Sequence, residues 1–542
     1  MTALIIHGHF YQPPRENPWT GIIDLEPSAQ PFHDWNERIH AECYQPNTSV
    51  RILNANGTEQ LVNNYAHISF NFGPTLLSWL EQNHAETYAR IIAADAESAS
   101  RNNGHGNAIA QAYNHTNLPL SNVRDRRTQV RWGRADFRHR FGREPEAMWL
   151  PETACNDDVL GLLIDEGLRF VILAPQQAAR VRKVRTSIPS GSPAGQFRWG
   201  GPDSPNEAGA MEASDEWQIV TPNTIDTSIA YKYFHRDGSG RSIAVFFYDQ
   251  ELAHAIAFEP LALASSASLV ERFAQRTTGA GTLVNVATDG ESYGHHHKFG
   301  ELCLAYALAL DAPRRGFVVT NYGDYLDRHA AEMEVEISNG QEGEGSSWSC
   351  THGVSRWIRD CGCHTGGEPG WNQSWREPLR NALDILRDEA AASFEATRGK
   401  LFVDPWAARD EAISLLLDEQ KSREEFLHRQ APRDLTREER QRALLFLEVQ
   451  RNALLMYTSC GWFFSDISGI EPVQILKYAA RAIDLIDQLG LPTPRRRFLE
   501  TLSHAKSNRP EFGNGAAIYR RLVEPCNPSF KRREERLAGT LA

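Results

Sequence analysis

Four β-rich runs end in clusters of side chains able to do chemistry. The run ALIIHGHF (3–10) ends in His7-Gly-His9, followed by Gln12 and Arg15-Glu16-Asn17. GHGNAIAQAYNHTNLPL carries Asn107, Gln111 and His115; EAMWLPE (146–152) ends in Trp149-Leu-Pro-Glu152. TLVNVATDGE (282–291) ends in Asp289-Gly-Glu291, with His295, His296 and His297 just beyond. Any one of these has an ordinary structural explanation, a carboxylate as a helix N-cap or a histidine as a satisfied polar group. Four of them at four strand ends, all due on one rim, are much harder to explain as coincidence. Two carboxyl groups facing one sugar ring are what glycosidic cleavage requires: one stays ionised, and the other is held protonated to donate to the leaving oxygen. Glu152 and Asp289 are the natural pair. Both follow strongly apolar runs and stand beside aromatic or small residues.

The elements that must position these groups are legible as a βα alternation. FVILAP (170–175), IAVFFYD (243–249) and FVVTN (317–321) read as further strands, each with a helical pattern nearby, and NDDVLGLLIDEGL (156–168) reads as a helix. Nearly unbroken apolar strands alternating with helices predict a parallel sheet or barrel covered on both faces. In such architectures the chemistry sits at the C-terminal strand ends. Residues 187–216, rich in Ser, Gly, Pro and Asp, read as a loop or insertion. Residues 337–372 are Gly-, Trp- and Cys-rich with little periodicity. From about 373 onward, segments such as PLRNALDILRDEAAASFEATRGKLF and PVQILKYAARAIDLIDQLG have helical spacing only. We expect a catalytic α/β region over 1–345 and a helical domain over 346–542.

Composition narrows the function. The chain has 542 residues, 57 Lys and Arg against 69 Asp and Glu, and a net charge of −12. An acidic surface repels phosphate backbones, so no nucleic-acid partner is expected. No apolar run is long enough to cross a membrane, and MTALIIHGHF lacks the basic n-region and cleavage site of a signal peptide, which points to the cytoplasm. Eight cysteines are too few for a disulfide framework. Thirteen tryptophans, many in polar Gly-rich stretches, suit a sugar, whose C–H faces pack on rings while its hydroxyls find polar partners.

The motifs resemble those of glycoside hydrolase family 57, in the family's order. HGHFYQPP resembles the first and AYNHTNLPL the second, in a version close to that of glucan-branching members. MWLPETA resembles the third, which places the nucleophile at Glu152. ATDGESYGHH resembles the fourth, which places the general acid/base at Asp289. SCGWFFSDISG (459–469) is a looser match to the fifth, in which Trp462 fits the aromatic that contacts substrate. The 346–380 block and the helices after it look like a helical domain of unknown function that accompanies one branch of the family. The resemblance implies a distorted (β/α)7 barrel followed by an all-α domain that contributes to the substrate cleft. It implies retaining action on α-glucan or maltooligosaccharide, of amylase, 4-α-glucanotransferase or branching type, with no cofactor. His7, His9 and His115 would hold sugar hydroxyls or tune the carboxylates, Trp149 and Trp462 would supply stacking surface, and Glu291 would support the site rather than react. The chain departs from the family pattern in three places. Phe10-Tyr11 expand the first motif, His296 and His297 follow the Gly-His step of the fourth, and Gly461 precedes Trp462 where an Asp is common.

Two other readings compete. His7, His9, Asp289, His295 and His296 could form a cation site, as in polysaccharide deacetylases or α-mannosidases on related barrels. A glucan-binding protein with a degenerate site is the other. Separately, Cys350, His352, Cys361, Cys363 and His364 are spaced C-x-H-x8-C-x-C-H, which is not a standard zinc knuckle, and C-x-C places ligands awkwardly for one tetrahedral ion. That pattern fits buried thiols in a Gly-rich loop, a structural metal, or a loop over the substrate pocket. Hydrolysis versus transfer, chain-length preference and oligomeric state are left open.

Overall fold

The computed structural model describes residues 2–54, 56–184, 216–277, 282–417 and 423–529. Most of the stretch read as a loop or insertion, 187–215, lies outside them. Seven parallel strands close into a ring: β1 (Ala3–Phe10), β2 (Ser69–Phe72), β3 (Ala110–Gln111), β4 (Met148–Trp149), β5 (Phe170–Leu173), β6 (Ser242–Phe247) and β7 (Leu283–Asp289). β1 pairs with both β7 and β2, β3 with β4, and β5 with β6. The remaining joints are thin: a bridge Phe70–Ala108, a bridge Ala147–Phe170, and one hydrogen bond, Asp249 N to Asn285 O, 2.8 Å. Two strands are only two residues long, so the barrel is distorted, as the sequence led us to expect. An eighth parallel strand, Val318–Val319, extends the sheet at the start of β1. Beside β6 the sheet continues as a mixed extension: Ala230–Phe234 pairs antiparallel with β6 and parallel with Met333–Ile337, which pairs antiparallel with Ala178–Lys183.

Helices pack outside the ring on β1, β5, β6 and β7, whose outward residues are apolar and fully buried. The helix Asp157–Asp165 starts where Asn156 accepts the Val159 N–H, and Val123–Phe141 where Asn122 accepts that of Asp125. The lumen is different. Alternation along β1 turns His7 and His9 inward, where they meet Ser69 and Asn71 of β2, Gln111 of β3 and Trp149 of β4. The interior of the barrel is a hydrogen-bonded polar layer capped by an indole, and the apolar core lies between strands and helices.

A second apolar core is built from the long helices Arg376–Glu395, Arg437–Leu455 and Ile470–Gln488. It takes in Tyr113, Trp132 and Ala154 from the barrel side. The turn after Arg437–Leu455 docks directly on the rim: Thr458 bridges Thr116, and Ser459 N donates to His115 O at 2.9 Å. Among the described residues, no helix is long and apolar enough to cross a membrane.

Candidate active site

Parallel pairing brings all seven strand ends to one rim. Asp289 closes β7, and Glu152 follows β4, three strands away one way round the ring and four the other. The two residues therefore stand at well-separated strand ends of one rim, and the charge of Glu152 acts on Asp289.

Glu152 sits in a short 3₁₀ turn, Pro151–Thr153, with φ 60° and ψ 17°; Thr153 follows at φ 49°. Left-handed backbone at two consecutive non-glycine residues costs roughly 1–3 kcal/mol each. The turn is held by Thr153 N to Leu150 O (2.7 Å), Ala154 N to Pro151 O (3.0 Å) and Gln177 Nε2 to Thr153 O (2.8 Å). His115 is a third such residue at this rim, φ 53°. The strain aims the Glu152 carboxylate at three donors. Ser459 Oγ donates to Oε1 (2.9 Å), and Ser349 Oγ (2.8 Å) and Trp348 Nε1 (3.3 Å) donate to Oε2. Burial raises the pKa of Glu152; the hydrogen bonds of Ser349, Ser459 and Trp348 and the charge of Arg356 act in the opposite direction.

Asp289 has the opposite surroundings. It is the one exposed residue of its strand. Desolvation, and then the charge of Glu152, push its pKa up to about 7, with no donor acting against them. Both carboxyls are raised by burial, but hydrogen-bond donors oppose the rise at Glu152 and none opposes it at Asp289. Glu152 is hydrogen-bonded as an anion, and Asp289 is biased towards the acid form.

The three histidines form one relay. Burial pulls His7 and His115 down to about 3, and burial with the neighbouring imidazoles lowers His9 well below its ordinary value, so all three are neutral. Hydrogen-bond matching assigns a single set of tautomers. Ser69 Oγ donates to His7 Nδ1 (2.9 Å), and His7 Nε2 donates to Asn71 Oδ1 (3.1 Å). Asn71 Nδ2 donates to His9 Nδ1 (3.0 Å), His9 Nε2 to His115 Nε2 (3.1 Å), and His115 Nδ1 to Ser459 Oγ (2.8 Å). Ser459 then donates to Glu152. Every ring nitrogen is engaged within the protein. The relay ends on the Glu152 carboxylate and holds no ring nitrogen free.

The predicted tryptophans are buried. Trp149 is 1% exposed, with His7 and His9 stacked on it at 4.9 Å. Trp462 is also 1% exposed, inside the helical core, with Arg380 over its ring at 5.0 Å and its Nε1 donating to Arg376 O. The geometry brings neither to a sugar-facing surface. The partly exposed indole at the site is Trp348, edge-on to Trp149 at 5.2 Å and to Tyr248 at 6.4 Å. Trp348, Ser349 and Ser459 escaped the sequence reading. Ser459 was within reach as the first residue of the fifth motif, and Trp348-Ser349 as the residues leading into the cysteine cluster.

Glu291 is buried and accepts Tyr44 OH (2.7 Å) and Tyr11 N (3.1 Å) at Oε1; burial and Asp289 raise it to about 8. It ties Tyr44 and the backbone of Tyr11 to the turn after β7. His295 turns away to Glu42, and His297 meets Ala257 O. The cation site imagined from His7, His9, Asp289, His295 and His296 is therefore not gathered. Among the described residues, the groups with metal-ligating geometry are Cys350/His352/Cys361/Cys363 and Glu37/His40/His84. In the second group the imidazoles are satisfied by Thr87 and Glu37.

The fold has solved counterparts. An exo-type maltose-forming amylase from Pyrococcus sp. ST04 superposes with a TM-score of 0.66 at 13% identity, over 99% of this chain and 94% of that one. A GH57-type branching enzyme from Pyrococcus horikoshii gives 0.53 at 15% identity (93% and 94%). A GH57 branching enzyme from Thermococcus kodakaraensis, solved with glucose, gives 0.50 at 14% (94% and 95%). No curated protein matches the sequence. Residues 371–538 match a domain of unknown function, DUF3536. Residues 7–338 match the model of glycosyl hydrolase family 57, and with more than half of its length covered, the chain belongs to that family.

Proposed function

We propose that this protein is a retaining glycoside hydrolase or transglycosylase of α-glucan in which Glu152 is the nucleophile and Asp289 the general acid/base. The observation that carries the assignment is the electrostatic asymmetry of the pair. Glu152 accepts three donors suited to an anion, whereas Asp289 is pushed only upward. Glu152 attacks the anomeric carbon while Asp289 protonates the departing oxygen. Asp289, now a base, activates water or an acceptor hydroxyl to release the sugar. The amylase and branching enzymes with the same fold support an α-glucan substrate. Trp348 takes the stacking role given to Trp149 and Trp462 by sequence. We take 1–345 as the catalytic barrel and 346–542 as a helical domain that completes the cleft, since Ser459 supplies a donor to the nucleophile. A chain with no disulfide among its described residues suits the reducing cytoplasm.

The test is incubation with amylose and maltooligosaccharides, with products analysed for free reducing ends, redistributed lengths and new α-1,6 branches. Glu152→Gln is expected to fold and to lose turnover at least 10³-fold, the order of loss when a covalent nucleophile is removed. Proton NMR of the first product formed should show the α-anomer. Substantial turnover by Glu152→Gln, or a β-anomeric first product, would overturn the assignment.

A further inference from the structure

Residues 338–375 wall one side of the mouth with almost no regular structure; one 3₁₀ turn, Ser355–Trp357, interrupts them. Yet this segment sets Trp348 and Ser349 on Glu152. Four ligand atoms converge immediately after Ser349. Cys350 Sγ lies 3.8 Å from both Cys361 Sγ and Cys363 Sγ, and Cys363 Sγ lies 3.5 Å from His352 Nδ1. All four atoms fall within 4.8 Å of one another.

These are the edges of a coordination tetrahedron. With Zn–S about 2.3 Å and Zn–N about 2.0–2.1 Å, tetrahedral angles put S···S near 3.8 Å and S···N near 3.6 Å. A disulfide would need about 2.05 Å and would leave the third sulfur odd. Backbone donors and a guanidinium surround the sulfurs. The backbone N–H groups of His352 and Arg356 are directed at Cys350, and that of Cys363 at Cys361. Arg376, fully buried, donates NH1 to Cys363 O at 2.8 Å, while its Nε and NH2 lack any hydrogen-bond partner among the described residues. Three thiolates, one neutral imidazole and a divalent ion carry a net −1, the charge a buried guanidinium requires beside it. The C-x-C spacing, awkward on an extended strand, works because the chain bends at Gly362, φ 80°. His364 is outside the group and bonds Gly366 O.

We propose that Cys350, His352, Cys361 and Cys363 bind one structural zinc ion that fixes the loop holding Trp348 and Ser349 against Glu152. The ion has no open ligand position and takes no part in bond cleavage. The test is elemental analysis of the full-length protein purified under reducing conditions. One zinc per chain is expected, with reconstitution by Co²⁺ giving the strong visible bands of tetrahedral thiolate coordination. Zinc should shield three of the eight thiols from alkylation of the folded protein, and a chelator should release them. Cys361→Ser and Cys363→Ser should lose the metal, and Cys526→Ser should keep it. Should the serine variants fail to fold, shielding of the unaltered protein decides. Less than 0.2 zinc per chain after incubation with Zn²⁺, thiols alkylated equally with and without the ion, or a Cys350 disulfide in the reduced preparation would each overturn the proposal. Metal content is read independently of any action on glucan, so its failure and that of the glucanase assignment are distinguishable.

Discussion

Replacing Ser459 with alanine removes a single hydroxyl, yet that hydroxyl holds the last link between the histidine relay and Glu152. Its Oγ donates to Glu152 Oε1 at 2.9 Å while accepting from His115 Nδ1 at 2.8 Å. A hydrogen bond to a charged partner contributes roughly 1.5–3 kcal/mol, and about 1.4 kcal/mol corresponds to one pKa unit. The donor favours the ionised carboxylate, so its loss raises the pKa of Glu152 by about 1–2 units. A nucleophile must be ionised, so the acid limb of the pH profile of kcat/KM should move to higher pH by the same amount. At a pH on the original limb, the rate should fall roughly 10- to 100-fold. On the plateau the loss should be smaller, because Ser349 and Trp348 still hold the other oxygen. The alanine also strands the His115 N–H in a buried position, at a cost to stability of about 1–3 kcal/mol, visible as a lower urea midpoint. The assay is initial rate on a chromogenic maltooligosaccharide from pH 4 to 9, for wild type and Ser459→Ala. An acid limb that stays in place, with kcat/KM within twofold throughout, would refute the idea that this relay sets the charge of Glu152.

Two further perturbations read other parts of the site. Asp289→Asn should raise the melting temperature, and more at pH 8 than at pH 5. The folded-state pKa of Asp289 is raised towards about 7, so its unfavourable ionisation grows as pH climbs from the unfolded value near 4 through that point, and asparagine abolishes it. An equal gain at both pH values would contradict the raised pKa. Gly290→Ala should destabilise the protein by about 1–3 kcal/mol, measured by urea titration, because the added methyl would stand 2.3 Å from the ring of Phe10. That ring is fully buried and stacked on Phe72, with nowhere to retreat; an unchanged midpoint would show that the β7 turn can shift.

The barrel was legible because parallel strands buried on both faces leave long apolar runs, and ALIIHGHF is read over the same eight residues that form β1. The carboxylates were legible for a related reason, since each is an abrupt polar break where such a run ends. Their partners were not. Ser459 reaches Glu152 across 307 residues and Ser349 across 197, and a serine leaves no periodicity to mark such a meeting. Trp462 shows the converse: a large aromatic in a motif attracts a substrate-binding reading, but it is buried in the helical core, whereas its neighbour Ser459 hydrogen-bonds Glu152. The histidines were correctly grouped but their availability was invisible, because only coordinates reveal that every ring nitrogen is already taken. His295 left the cluster because the turn at Gly290–Ser292 redirects the chain.

The span between Glu152 and Ser459 has a consequence for synthesis. At roughly 5–20 residues per second, a ribosome needs on the order of 15–60 s to extend the chain from the carboxylate to the serine that completes its environment. Throughout that interval a nascent barrel lacks one of its charge-setting donors and the turn that seats His115. The full set of donors around Glu152 exists only when the helical third has been made and has docked on the rim.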